Sequence, residues 1–228
     1  MANGRSTVLL TGFGPFPSVP ANATSLLVPR IAEAARTAFP GIVFEVRTLP
    51  TEWGAGIAHL DDLYETLAPT VALHFGVSSR ARGFEVEARG VNRRAFIPDA
   101  AGCLPSTPAL RDDGADQLAS TVPVSAIVAR LRSRGLPAFV SRDAGTYLCN
   151  AALYSALDRA RRSTRDHRIG FIHLPASLLV EERRPQFAEP STAASRSSAR
   201  HSAGRSCGGR HYRLRNTCHP SAISRPMQ

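Results

Sequence analysis

The chain has no lysine, one tryptophan, two methionines and four cysteines in 228 residues. No stretch approaches the roughly 20 apolar residues that a membrane-spanning helix needs, because Gly, Pro or a charged residue interrupts every candidate. A membrane-embedded role is therefore not expected. Cys103, Cys149, Cys207 and Cys218 are too few for a disulfide scaffold at this length, and none stands in a C-x-x-C pair. They read as reduced thiols of a cytoplasmic protein. The apolar Val8-Leu9-Leu10 that follows Arg5 is broken by Gly12, Gly14 and Pro15, and so fails as a secretion signal.

Acidic residues are missing from one end. Between Pro190 and Gln228 there are seven Arg and no Asp or Glu, so the remainder carries 21 basic against 18 acidic residues. The net charge of +10 thus belongs mostly to the tail, and nucleic-acid binding by the rest is not indicated. The same 39 residues contain only Leu214 and Ile223 among Leu, Ile, Val and Phe. Such a segment buries too little apolar surface to offset its ordering entropy, and disorder is expected. His201, His211, His219, Cys207 and Cys218 lack the paired spacing of a zinc site. The expected organisation is a folded domain over residues 1–182 and an Arg/Ser-rich tail over 183–228. Neither a metal nor an organic cofactor is called for.

The first part alternates short β-branched or apolar runs with longer amphipathic ones. Strands are predicted at Thr7–Phe13, Ile42–Leu49, Val71–Val77, Phe84–Val91, Ala138–Val140 and Gly170–Leu174, and helices at Ser25–Thr37, Trp53–Leu67, Ser125–Arg134 and Cys149–Arg161. That order implies an α/β fold, an open, largely parallel twisted sheet with helices on both faces, whose chemistry gathers at the carboxyl ends of strands. Pro98–Val122, with Pro105, Pro108 and Asp112-Asp113-Gly114, reads as a long surface excursion.

Cys149 follows a strand and a Gly-containing turn and opens a helix. A thiol there meets unpaired backbone N–H groups and the positive end of the helix dipole, which favour the thiolate. A buried inert cysteine is the plain alternative. His173 interrupts the apolar run Gly170-Phe171-Ile172-His173-Leu174-Pro175 near its carboxyl end, where an imidazole can reach a thiolate. Glu87 supplies a third candidate. Alternation puts it on the same strand face as Glu85, so one of the two carboxylates is free to be a solvated surface group.

These blocks resemble the pyrrolidone-carboxylate peptidase family of cysteine peptidases, pyroglutamyl peptidase I, over roughly residues 7–177. Leu136, Ala138, Val140-Ser141, Asp143-Ala144-Gly145 and Tyr147-Leu148-Cys149-Asn150 match its cysteine motif, and Gly170–Pro175 its histidine segment. Thr11-Gly12-Phe13, Pro15-Phe16 and Ile97-Pro98-Asp99 resemble its first strand and central loop. The resemblance implies Cys149 as nucleophile, His173 as base and Glu87 as the orienting carboxylate. It also implies a pyroglutamyl slot walled by Phe13 and Phe16, with Val77, Ile97, Tyr147 and Leu148 as further candidates, for which core packing is the alternative. The substrates would be peptides with an N-terminal pyroglutamate, and self-association into a homo-oligomer stays open.

The chain departs from the family in three places. Phe96 stands where an Arg usually precedes Ile-Pro-Asp, in a loop about two residues shorter, so that Arg93 or Arg94 is left as the substitute. Asn22-Ala23 replaces Asn-Pro. An Arg/Ser/His tail replaces the terminal amphipathic helix, as a frameshift from about Arg183 or a divergent tail would produce. Two other readings follow from that tail: a catalytically impaired family member, or a binder of nucleic acid or acidic surfaces.

Overall fold

The computed structural model describes residues 6–15, 22–176 and 178. Phe16 and the expectations for residues 183–228 lie outside them. The described residues belong to one compact unit, Met1–Arg184. Its elements run β1 (Thr7–Phe13), α1 (Ala23–Ala38), β2 (Val43–Leu49), α2 (Trp53–Leu67), β3 (Val71–Ser78), β4 (Phe84–Glu87), β5 (Arg89–Val91), β6 (Gln117–Ala119), α3 (Val124–Arg132), β7 (Ala138–Ser141), α4 (Leu148–Arg162) and β8 (Arg168–Pro175).

Six strands form one sheet in the order β2-β1-β3-β8-β4-β7, all pairs parallel except β4 with β8. Alternation along each strand sends side chains to two cores. Leu9, Ala72, Ile169 and Phe171 meet α2 and α4 on one face, while Val8, Leu10, Phe75, Val86 and Leu174 meet α1 and α3 on the other. Fully burying one such side chain stabilises the fold by roughly 1.5–3 kcal/mol. Both central strands therefore end, at their carboxyl ends, under the start of α4.

Two expectations change. The run Phe84–Val91 is two strands: β4 stays in the main sheet, and β5 pairs antiparallel with β6. The break falls at Ala88, whose N–H goes to the Ser141 carbonyl and whose carbonyl accepts from Ser120 N. The excursion after Pro98 is thus tied back by a short strand that its polar sequence did not advertise. Asn92 organises it further: its side-chain oxygen accepts the Leu110 and Arg111 N–H groups, 2.9 Å each, and its amide donates to the Arg111 carbonyl at 2.7 Å.

His74, fully buried on β3, lies 2.7 Å from Thr11 Oγ1 through Nδ1 and 3.2 Å from Tyr64 Oη through Nε2. Both ring nitrogens are satisfied in the neutral ring, and burial lowers its pKa to about 4. Between pH 6.5 and 4 the unfolded chain takes up a proton here that the folded chain refuses, so stability falls on acidification, by about 3 kcal/mol at most. Thermal unfolding across this range should show that decline, and His74→Gln, which has no such proton to take up, should show a shallower one.

Candidate active site

The turn before α4 determines where Cys149 stands. Asp143 Oδ1 accepts the Gly145 N–H at 3.0 Å, and Gly145 takes the left-handed φ of 74° that reverses the chain cheaply only without a Cβ. Tyr147 is the N-cap residue in an extended conformation, so Leu148 and Cys149 are the first two helical residues. Their N–H groups have no intrahelical acceptor and leave the positive end of α4 beside the sulfur.

Asn150 locks this turn to its surroundings. Fully buried, it accepts the Val91 N–H and donates to the carbonyls of Val91 and Arg93, at 2.8, 2.8 and 3.0 Å. The start of α4 is thereby fixed to β5.

On the sheet side, His173 is 6% exposed and its Nδ1 donates to Glu87 Oε1 at 2.7 Å. Its other nitrogen is left for Cys149. Cys149 is half-buried and is the free thiol among the described residues; Cys103 is disulfide-bonded, so the expectation of reduced cysteines throughout does not hold there. Burial alone would push the His173 pKa down. The Cys149 thiolate, through charge and hydrogen bond, and the Glu87 carboxylate outweigh that and raise it to about 10. His173 is thereby held as the imidazolium.

Gly76, on β3 beside His173, was not singled out in the sequence. A Cβ there would lie 2.8 Å from Cys149 Sγ and 2.8 Å from the Phe171 ring. Only a bare backbone lets the sulfur and the sheet approach this closely. A glycine inside the apolar run Val71–Val77 was the available signal.

The proposed slot residues divide. Phe13 is buried, 6.5 Å from the Phe171 ring, which in turn sits 4.8 Å from the His173 ring. Tyr147 stacks edge-on against Trp53 at 5.1 Å and donates from Oη to the Pro98 carbonyl. Ile97 is 51% exposed, its carbonyl accepting from Trp53 Nε1 at 2.9 Å. Leu148 is a buried core residue. Val77 is displaced: alternation from Gly76 sends its side chain to the opposite sheet face, against the cluster under α1 and α3. It cannot wall a slot at Cys149. Arg94 is a loop anchor, bonded to Thr107 Oγ1 and the Ala109 carbonyl, while Arg93 is exposed. Asp99, buried, accepts the N–H groups of Trp53, Ala101 and Cys103, which ties the central loop to the start of α2.

A thiol at a helix start, an imidazole and a buried carboxylate in series form a nucleophile–base–orienter chain able to perform acyl transfer. The family model for pyroglutamyl peptidases matches residues 6–196. The chain belongs to that family. It is 36% identical over 189 residues to a pyrrolidone-carboxylate peptidase of Cupriavidus taiwanensis, covering 82% of this chain and 85% of that one. To the one from Chromobacterium violaceum it is 38% identical over 174 residues, covering 74% and 77%. Among solved structures, the pyrrolidone carboxyl peptidase of Fervidobacterium islandicum superposes with a TM-score of 0.69 at 30% identity, over 75% of this chain and 81% of that one. Pyroglutamyl peptidase I of Bacillus amyloliquefaciens gives 0.68 at 29%, over 75% and 82%.

Replacing Gly76 by Ala should force Cys149 Sγ or Phe171 aside. The expected result is a slower iodoacetamide reaction at Cys149, with a stability loss of about 1–3 kcal/mol in denaturant unfolding. An unchanged alkylation rate would show that the sulfur does not need the bare backbone.

Proposed function

We propose that this chain hydrolyses the bond between an N-terminal pyroglutamyl residue and the rest of a peptide, with Cys149 as nucleophile, His173 as acid and base, and Glu87 as the orienting carboxylate. The observation that carries the assignment is the continuous path from the half-buried sulfur through His173 to the fully buried Glu87. The cytoplasm is our reading of where the chain works.

The thiolate attacks the exocyclic carbonyl carbon of the pyroglutamyl residue. The oxyanion that forms is met by the unpaired N–H groups at the start of α4, each such donor being worth roughly 10²- to 10³-fold in rate. The imidazolium of His173 gives its proton to the departing amine as the carbon–nitrogen bond breaks. A thioester between Cys149 and the pyroglutamyl group remains. Neutral His173 then takes a proton from water, the hydroxyl adds to the thioester carbon, and pyroglutamate leaves as the thiolate and imidazolium are restored. Phe13 and Tyr147 are our choice for the walls nearest the lactam.

A fluorogenic pyroglutamyl amide tests this directly. Cys149→Ser should fold normally and lose turnover, since a hydroxyl at neutral pH is a far poorer nucleophile, whereas Cys103→Ser should retain it. Equal loss in both would remove Cys149 from the mechanism.

The three members are not expected to count equally. His173→Ala should lose nearly all turnover because proton transfer itself is gone. Glu87→Gln should retain a measurable remainder, roughly 10²- to 10⁴-fold down, because only orientation and charge are lost. With an imidazolium raised to about 10 as the acid, kcat/KM should persist into alkaline solution and fall as pH rises through that value. A decline already complete near pH 7 would contradict the ion pair.

A further inference from the structure

Beside the His173–Glu87 pair stands a second carboxylate to which no role has been given. Glu85 is paired with His173 across the β4–β8 ladder and is half-buried. One oxygen of Glu85, one of Glu87 and a ring nitrogen of His173 all lie within 4.8 Å of one another. Glu87 Oε2 is buried and has no hydrogen-bond partner among the described residues.

Two carboxylates this close, partly withdrawn from water, repel unless a cation lies between or beside them. The chain has 28 arginines, yet among the described residues none forms an ion pair with Glu85 or Glu87. The groups that face His173 from the elements packed against it are Glu85 and Glu87 from β4, Cys149 from α4, and Gly76 and the Phe171 ring, which carry no charge. Among the described residues, the cation within reach of both carboxylates is therefore the His173 imidazolium itself.

We propose that Glu85 is a second positioning carboxylate of this site, holding His173 as the imidazolium that pairs with the Cys149 thiolate. The inference rests on the assignment of Cys149 and His173 made above, and adds that Glu87 does not act alone. Division of labour follows from geometry. Glu87 bonds Nδ1 and fixes the ring's orientation, whereas Glu85 makes no hydrogen bond to the ring and acts through charge.

The test is the pH dependence of iodoacetamide alkylation at Cys149, measured on the full chain by peptide mapping. It reads the thiolate–imidazolium pair without any substrate, so it stands even if the chain fails to cleave a pyroglutamyl amide. In Glu85→Gln, the upper inflection, where the imidazolium loses its proton, should move to lower pH by roughly one unit, the shift expected for a charge at this distance. Glu85→Asp, which keeps the charge, should hold the inflection near its original place. Glu85→Ala should reproduce the Gln result, which covers the case in which the amide disturbs folding. The upper inflection of kcat/KM should follow the same order. An inflection unmoved in both neutral variants, or moved upward, overturns the proposal. So does a shift that Glu85→Asp shares with Glu85→Gln, since that would mark a packing role.

Discussion

The site depends on one close approach, a sulfur atom resting against bare backbone. Cys149 Sγ comes so near β3 that a methyl group at Gly76 would overlap it, and this contact lets a helix-borne thiol reach an imidazole on the neighbouring strand. Everything around it serves that distance. Gly145 turns the chain, Asn150 clamps the start of α4 to β5, and Phe171 packs beneath the His173 ring. The positive end of the helix and the Glu87 carboxylate then act on opposite ends of one proton path. The first favours negative charge at the sulfur and the second the imidazolium, so the two ends act in the same direction.

Polar residues that accompany Cys149 and Glu87 in sequence turn out to be scaffolding. Asn150 substitutes for strand neighbours at Val91, and Asn92 gathers the ends of the excursion by accepting two N–H groups and donating to carbonyls. Asp99 joins the central loop to the start of α2 by accepting three N–H groups. Short side chains that mimic a peptide group hold irregular backbone in place without adding secondary structure. The geometry around Cys149 rests on loops made rigid in this way as much as on the sheet.

That Cys149, His173 and Glu87 come together was readable because each stands at a place where a parallel sheet exposes its strand ends, and because the blocks around them are long. The alternation that left Glu85 and Glu87 undecided is resolved by burial: both share a face, and Glu87 is the fully buried one that bonds the imidazole. Val77 was misjudged although its own strand held the answer, since a residue next to Gly76 must point away from whatever Gly76 admits. The division of Phe84–Val91 was not legible, because the hydrogen bonds that break it come from Ser120 and Ser141, far along the chain. Nor was the His74 network, in which two hydroxyls from separate elements satisfy a core imidazole. Pairwise satisfaction of buried polar atoms has no local sequence signal.

The most direct test of the central claim is covalent trapping with an affinity label that carries a pyroglutamyl group on a thiol-reactive ketone, followed by peptide mapping. The account predicts modification confined to Cys149, slowed by excess pyroglutamyl peptide and abolished in His173→Ala, with an otherwise identical acetyl-prolyl label reacting far more slowly. Labelling at Cys103, or equal reaction with both labels at Cys149, would contradict it, because the sulfur would then be merely a reactive thiol rather than the nucleophile of a site built around the lactam.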